Sequence, residues 1–364
     1  MNDKLSGSNV LLLRRLSLAA VLLAMVVVVL GAYTRLVDAG LGCPDWPGCY
    51  GFLVAPHTDE HIRIATERFP DAPVETHKGW AEMTHRYVAG SLLLLILAIL
   101  VVSVRQRRRD GDAAVPVKLP LAIFILVIWQ AIFGMWTVTL KLWPQIVTLH
   151  LLGGFATLSL LWLLALRLRP QQVAVGPDQG RKLRALRPWA LGAILVVTLQ
   201  VMLGGWTSSN YAALACTDLP TCQGEYWPHM DFAQGFDLFQ HIGPNYLGGR
   251  MDNEARVAIH VTHRLGAMVV VLYLGLLLWR LWPVLAGTWL TRPLMLVAGA
   301  LLLQVGLGLS NILWLLPLPV AVAHNAGGAF LLLMLIWLNQ RLHLALRPAP
   351  GAFQAQETYH AQQA

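Results

Sequence analysis

Eight separate stretches of this chain are each long and apolar enough to cross a lipid bilayer, and that demand constrains the fold more than any motif does. They run roughly 10–32, 84–104, 119–140, 146–167, 188–207, 259–281, 293–313 and 320–340. A spanning helix needs about 20 mostly apolar residues, because hydrocarbon offers no partner for a backbone N–H or C=O left open. The remaining composition agrees: of 364 residues 56% are hydrophobic and only 13% charged, with a mean hydropathy of +0.57. A soluble protein carries about 25% charged residues, and with half of that it could not cover its own surface. A soluble enzyme, a disordered chain and a nucleic-acid-binding module are thereby excluded. The first stretch, from Val10 to Leu30, exceeds the apolar core of a secretory signal and lacks a small-residue cleavage site before Tyr33 and Arg35, so it is expected to be a retained helix. The expectation is an all-α integral membrane protein of eight transmembrane helices.

The net charge of +8 is explained by where the charges sit. With the N-terminus, the loops 105–118, 168–187 and 282–292 and the C-terminus placed on the cytoplasmic side, that side holds 18 of the 27 Lys and Arg, while 14 of the 19 acids fall on the other. Basic loops stay inside. The excess is a topology signal, with both termini cytoplasmic and no nucleic-acid patch.

Loop lengths alternate in a way that divides the chain in two. Outer loops 33–83 and 208–258 are long, whereas 141–145 and 314–319 are short turns. Cys43 and Cys49 map onto Cys216 and Cys222 at an offset of 173, His150 onto His324 at 174, and His85 onto His263 at 178. THRYVAGS aligns with THRLGAMV and TLHLLGGF with VAHNAGGAF. Matched features in one order indicate an internal repeat: two pseudo-symmetric four-helix halves, repeated in parallel. The division is 1–170, a cytoplasmic linker at 171–187, 188–345, and a tail at 346–364 whose composition reads as disordered.

All four cysteines lie in the long outer loops, as CPDWPGC and CTDLPTC. Thiols on an oxidising side form disulfides, and this spacing allows closure. A redox-active bridge and a plain loop staple both remain open. Neither loop shows a convincing four-ligand zinc set.

Of twelve histidines, four occupy matched positions inside spanning segments: His85, His150, His263 and His324. Ionisable groups there are costly and usually functional. Each lies near the outer start of an inward-running helix, so the two imidazoles of a half can lie at one level and face each other across a bundle. Gly153 and Gly154, and Gly327 and Gly328, follow His150 and His324 and would admit a flat macrocycle or simply pack helices. Two opposed imidazoles in an apolar slot suit haem iron. Zinc or copper would want further ligands.

The halves differ three residues before the first histidine, where Glu82 stands in one and His260 in the other. Residues three apart share a helix face, so Glu82 would lie beside whatever His85 binds and could accept protons or stabilise a developing cation. The plain alternative is a membrane-interface carboxylate paired with Arg86 or Lys78. Arg86 and Arg264 directly follow the histidines and are candidates for pairing with haem propionates or for snorkelling to lipid phosphates. Trp46, Trp80, Trp143, Trp206 and Trp227 fall near the outer interface, where Trp is enriched in any membrane protein. The segment 223–257, with His229 and His241, is a candidate cover for the second site.

GAYTRLVDAGLGCPDWPGC, EMTHRYVAG, TLHLLGG, THRLGA and AHNAGGAF together resemble the haem A synthase family of cytochrome oxidase assembly enzymes, over roughly residues 10–340. The resemblance implies oxidation of the C8 methyl group of haem O to a formyl group, through an alcohol and a gem-diol that loses water. It implies substrate haem O between His85 and His150, with Glu82 as the essential carboxylate, and resident haem b between His263 and His324. It further implies disulfides Cys43–Cys49 and Cys216–Cys222, as in the bacterial cysteine-bearing type, hence a bacterial inner membrane with periplasmic long loops. No role for His260 follows from it. Haem O synthase and the cytochrome c oxidase assembly machinery are the expected partners, with an electron acceptor the sequence does not name and a homo-oligomer left open. A quinol-linked di-haem b electron-transfer cytochrome and a haem carrier are the competing readings. The first has no need of the Glu82 asymmetry, and the second wants a polar path through the helices that the sequence lacks.

Overall fold

A computed structural model describes residues 2–110, 115–168 and 175–346 of the chain. Ten helices follow in order: α1 (Asn2–Leu36), α2 (Asp59–Arg68), α3 (Thr76–Asp110), α4 (Lys118–Thr139), α5 (Pro144–Arg167), α6 (Pro177–Ser209), α7 (Phe232–Gly235), α8 (Asn253–Leu285), α9 (Thr291–Leu313) and α10 (Leu318–Ala345). Eight are long and apolar enough to cross a membrane, which makes this a multi-pass membrane protein. They are the eight stretches expected, but several run further than their apolar runs. α3 starts at Thr76 rather than near residue 84, and α8 at Asn253 rather than near 259. Hydropathy marks the lipid-buried part of a helix, whereas backbone hydrogen bonding continues through polar turns beyond it. The linker expected over 171–187 is likewise helix from Pro177 onward. Its residues 171–174, and the tail from 347, lie outside the described residues.

Local chemistry sets the boundaries. Proline opens α5 and α6 at positions whose N–H would be unpaired in any case. Thr58 caps α2 by accepting from His61 N at 3.2 Å, with Asp59 and Glu60 in the first turn. The tight turns after α4 and α9 are built alike, each with two left-handed residues, Lys141 and Leu142 in one and Leu315 and Leu316 in the other. Within the spans, hydroxyls bond their own helix: Ser17 Oγ donates to Leu13 O and Thr157 Oγ1 to Gly153 O, both at 2.8 Å. Neither hydroxyl is left open in an environment without water.

The helices close into rings. α1 packs on α3, α3 on α4, α4 on α5 and α5 on α1, while α3 and α5 make no close approach among the described residues. α6, α8, α9 and α10 repeat the same circuit, with α8 and α10 diagonal. The rings meet through α5 against α10, α1 against α10 and α5 against α6. The main apolar core fills this seam with Leu158, Leu161, Leu183, Leu335 and Leu338. Trp162 Nε1 donates across it to Leu333 O at 3.0 Å, and within the second ring Asn339 Nδ2 donates from α10 to Ala190 O of α6 at 2.8 Å. Outward-facing Leu22, Leu195, Leu272 and Leu302 are exposed, as side chains solvated by lipid tails must be.

Candidate functional site

Both long loops converge on the helix ends that carry the histidines, and each is knotted by a disulfide, Cys43–Cys49 and Cys216–Cys222. The two knots share one internal design. Asp45 accepts from Tyr50 N at 2.6 Å and Gly51 N at 2.8 Å; Asp218 accepts from Gln223 N at 2.8 Å and Gly224 N at 3.0 Å. Gly51 and Gly224 take φ of +80° and +82°, a conformation only glycine adopts freely. With a further hydrogen bond from the Thr221 hydroxyl at 2.5 Å, the Asp218 carboxyl is held down at about 2, the Thr221 bond being the largest cause. Burial pushes the Tyr50 phenol up, and its hydroxyl donates to Pro73 O at 2.8 Å.

Each knot is pinned to the helix below it by the residue three before the histidine. Cys43 N donates to Glu82 Oε2 at 2.9 Å, and Cys216 N donates to His260 Nδ1 at 3.3 Å. Glu82 and His260 are both buried, 5% and 4% exposed. His260, for which the sequence suggested no role, thus does for the second loop what Glu82 does for the first. The arginines complete the clamps. Arg86 pairs with Glu82 and donates to Asp45 O at 3.0 Å and Gly48 O at 2.6 Å. Arg264 donates to Thr221 O at 2.9 Å and Cys216 O at 2.7 Å. Both guanidinium groups proposed for propionates are therefore engaged with loop carbonyls, and Glu82 with Arg86.

The histidines sit one turn below. His85 on α3 and His150 on α5 project from diagonal helices and lie within electrostatic reach of each other, as do His263 on α8 and His324 on α10. All four rings are partly exposed. Each faces a glycine on the adjacent helix. A Cβ on Gly31 would stand 3.0 Å from His85 Cε1, on Gly204 3.2 Å from His263 Cε1, on Gly308 3.1 Å from His324 Cε1 and on Gly134 3.5 Å from His150 Cε1. Glycine at these four points leaves the imidazoles their room. Nδ1 of His85, His150 and His324 is buried without a hydrogen bond, and an apolar interior tolerates such an atom poorly. This fits imidazoles that bind a metal through Nε2, and two diagonal rings per bundle fit an iron placed between them. No cluster of three or more His, Cys, Asp or Glu able to hold an ion directly occurs among the described residues.

Sequence reasoning missed the glycine faces and three glutamines. Gly153 and Gly327, read as room for a macrocycle or as helix packing, receive the amides of Gln130 and Gln304. The signal was present, since Gln-x-x-x-Gly recurs at 130, 200 and 304. The segment read as a candidate cover for the second site packs on the second half through Met230 and Phe236 and also reaches the first. Trp143 Nε1 donates to Gln240 O at 3.1 Å, Gln145 Nε2 to Leu238 O at 3.0 Å, and Tyr246 N to Lys141 O at 3.0 Å, all at the turn that leads to His150.

Residues 14–336 match the family described as cytochrome oxidase assembly protein, COX15-CtaA. The chain is 47% identical to the haem A synthase of Shewanella oneidensis, over 86% of this chain and 92% of that protein. It is 28% identical to the haem A synthase of Rhodospirillum centenum, over 90% of this chain and 86% of that one. Against haem A synthase COX15 of Arabidopsis thaliana the identity is 24%, over 89% and 72% respectively.

Proposed function

The chain belongs to the COX15-CtaA family of cytochrome oxidase assembly proteins, and from that premise we propose that it is a haem A synthase, an oxidoreductase converting the C8 methyl group of haem O to a formyl group. The observation that carries the reading is the duplicated set of diagonal histidines, each opposed by a glycine, in a chain 47% identical to a haem A synthase. The recurrence of helix neighbours supports two pseudo-symmetric four-helix halves, 1–170 for substrate and 188–345 for a resident haem b. The distribution of Lys and Arg supports cytoplasmic termini and long loops on the periplasmic face of a bacterial inner membrane. Haem O synthase is the expected supplier, since an apolar haem is best passed on within the membrane. An electron-transfer cytochrome and a haem carrier are not favoured by the relatives' identities.

His85 and His150 hold the substrate iron from opposite corners of the first bundle. That sets where the macrocycle edge lies relative to Glu82, one turn above His85 on the same face of α3. His263 and His324 would hold haem b, which would supply one-electron transfer when bound. Glu82 is the polar difference between the halves. Its carboxylate receives the protons released as a methyl carbon is oxidised and orients the hydroxylated carbon. The Cys43 amide and Arg86 fix that carboxylate at two points, so it need not reorganise as charge develops. The disulfide loop above it closes the bundle end against water.

The test is to express the chain with haem O synthase, purify it in detergent, and identify the extracted haems by chromatography and mass. Haem b together with haem O, haem A or an alcohol intermediate is expected. Haem b alone, with haem O available, would overturn the proposal in favour of electron transfer.

A further inference from the structure

One turn before each of the four histidine-facing glycines stands a residue on the same helix: Val27 before Gly31, Gln130 before Gly134, Gln200 before Gly204 and Gln304 before Gly308. Three are glutamines, and each packs its amide against the glycine three residues after a histidine: Gln130 on Gly153, Gln200 on Gly266, Gln304 on Gly327. The matching position after His85 is Val88. Three of the four ligand corners thus combine an amide with a glycine that admits it, and the fourth has a valine at both positions.

Two of the amides reach the rings. Gln200 Nε2 lies 3.0 Å from His263 Nδ1 and donates to His263 O at 2.9 Å; Gln304 Nε2 lies 3.5 Å from His324 Nε2. Gln200 Oε1, Gln304 Oε1 and Gln130 Nε2 are buried with no hydrogen bond, a costly state for an amide unless another partner is meant for it. A histidine bound to iron through Nε2 carries its proton on Nδ1 and is held by whatever accepts that proton. A half-turn of the Gln200 amide presents Oε1 to it, exchanging the donation to the His263 carbonyl for acceptance of the Nδ1 proton. His150 and His324 also have an open Nδ1, but each has such an amide beside the next turn of its helix. At His85, α1 brings the backbone carbonyl of Val27 near the ring, as α9 brings that of Gln304 near His324, but unlike His263 it has no amide at Nδ1.

We propose that Gln200 is a positioning residue that holds the imidazole of His263 on iron, and that Val27, at the equivalent position of the first half, leaves His85 as the exchangeable ligand through which substrate haem enters and product haem leaves. The inference rests on the bis-histidine reading above. It gives the resident haem a supported ligand at the position where the substrate haem has none.

The experiment uses the full chain, co-expressed with haem O synthase, and follows transfer of its haems to excess apomyoglobin together with their reduction potentials. The original protein loses one haem fast and the other slowly. Val27→Gln, made together with Val88→Gly so that the amide finds the room it has at the other corners, is expected to slow the fast phase about tenfold, the lower end of what an outer hydrogen bond to a ligand contributes. Gln200→Val, which copies the α1 arrangement into the second half, is expected to speed the slow phase about tenfold and raise that haem's potential. Gln200→Glu keeps an acceptor at the same reach and restores both. A fast phase unchanged by the Val27→Gln, Val88→Gly double variant, or a slow phase and potential unchanged by Gln200→Val, overturns the proposal. Should that double variant fail to accumulate in the membrane, the Gln200 pair decides alone. A purified chain lacking two haems would instead sink the histidine reading itself.

Discussion

Glu82 has two duties that a single substitution can separate. Its carboxylate accepts the Cys43 amide and pairs with Arg86, which is loop anchoring. It is also the acidic group on the face of α3 that carries His85. Glu82→Gln keeps an oxygen for the Cys43 amide and removes the charge and the proton acceptor. We expect haem content near that of the original protein and haem A output lower by about 10²-fold or more, the usual contribution of a positioned acid or base. Full haem A output from the variant, by extraction and mass, would remove Glu82 from the chemistry. Asp218 provides a residue-scale test outside the membrane. Its carboxyl is depressed to about 2 in the folded loop, below the ordinary value, so its contribution to loop stability is complete above about pH 4 and is lost as pH falls through about 2. Hydrogen exchange of the Gln223 and Gly224 amides should stay protected at pH 4 and lose that protection near pH 2. Loss already at pH 4 would contradict the hydrogen-bonded carboxylate.

At the scale of elements, the glycine faces rank the tolerance of each helix pair. A methyl group on Gly31, Gly308 or Gly204 meets an imidazole carbon at 3.0, 3.1 or 3.2 Å, whereas on Gly134 it meets one at an ordinary 3.5 Å. Gly31→Ala, Gly308→Ala and Gly204→Ala should each displace a ring and perturb the visible spectrum of the haem it binds, and Gly134→Ala should leave it intact. An equal effect at all four would mean that the glycines serve helix packing alone. The spanning helices themselves are legible in the amino-acid order, because lipid demands about 20 apolar residues per crossing and little else imitates that. Their ends are not. The polar first turns of α3 and α8 carry no hydropathy signal, and α6 begins at Pro177, inside what reads as a linker.

At the scale of the molecule, two bundles joined through α5 and α10 predict two independent haem sites. His263→Ala should lose the resident haem while still binding haem O, and His85→Ala the reverse, measured as haem to protein ratio after extraction. Loss of both haems from either variant would mean one shared site. The joint itself is polar at the loop end, where equivalent positions of the repeat meet: Arg35 donates to Ser208 O at 2.5 Å and lies over the Tyr211 ring at 4.0 Å, while the Tyr211 hydroxyl donates to Asp38 at 2.9 Å.

From the amino-acid order alone came the number of spans, the internal repeat, the four histidines and the asymmetry of Glu82 against His260. Each follows from a periodic or locally spaced requirement: apolar length, a fixed offset, three residues on one helix face. Only the tertiary structure decided what these residues touch. The donation of Cys43 N to Glu82 and of Cys216 N to His260, the turning of Arg86 and Arg264 onto loop carbonyls, and the glycine opposite every histidine all join residues from different elements. Such contacts depend on how helices rotate about their axes and pack, which hydropathy cannot encode because it averages over the very faces that packing distinguishes.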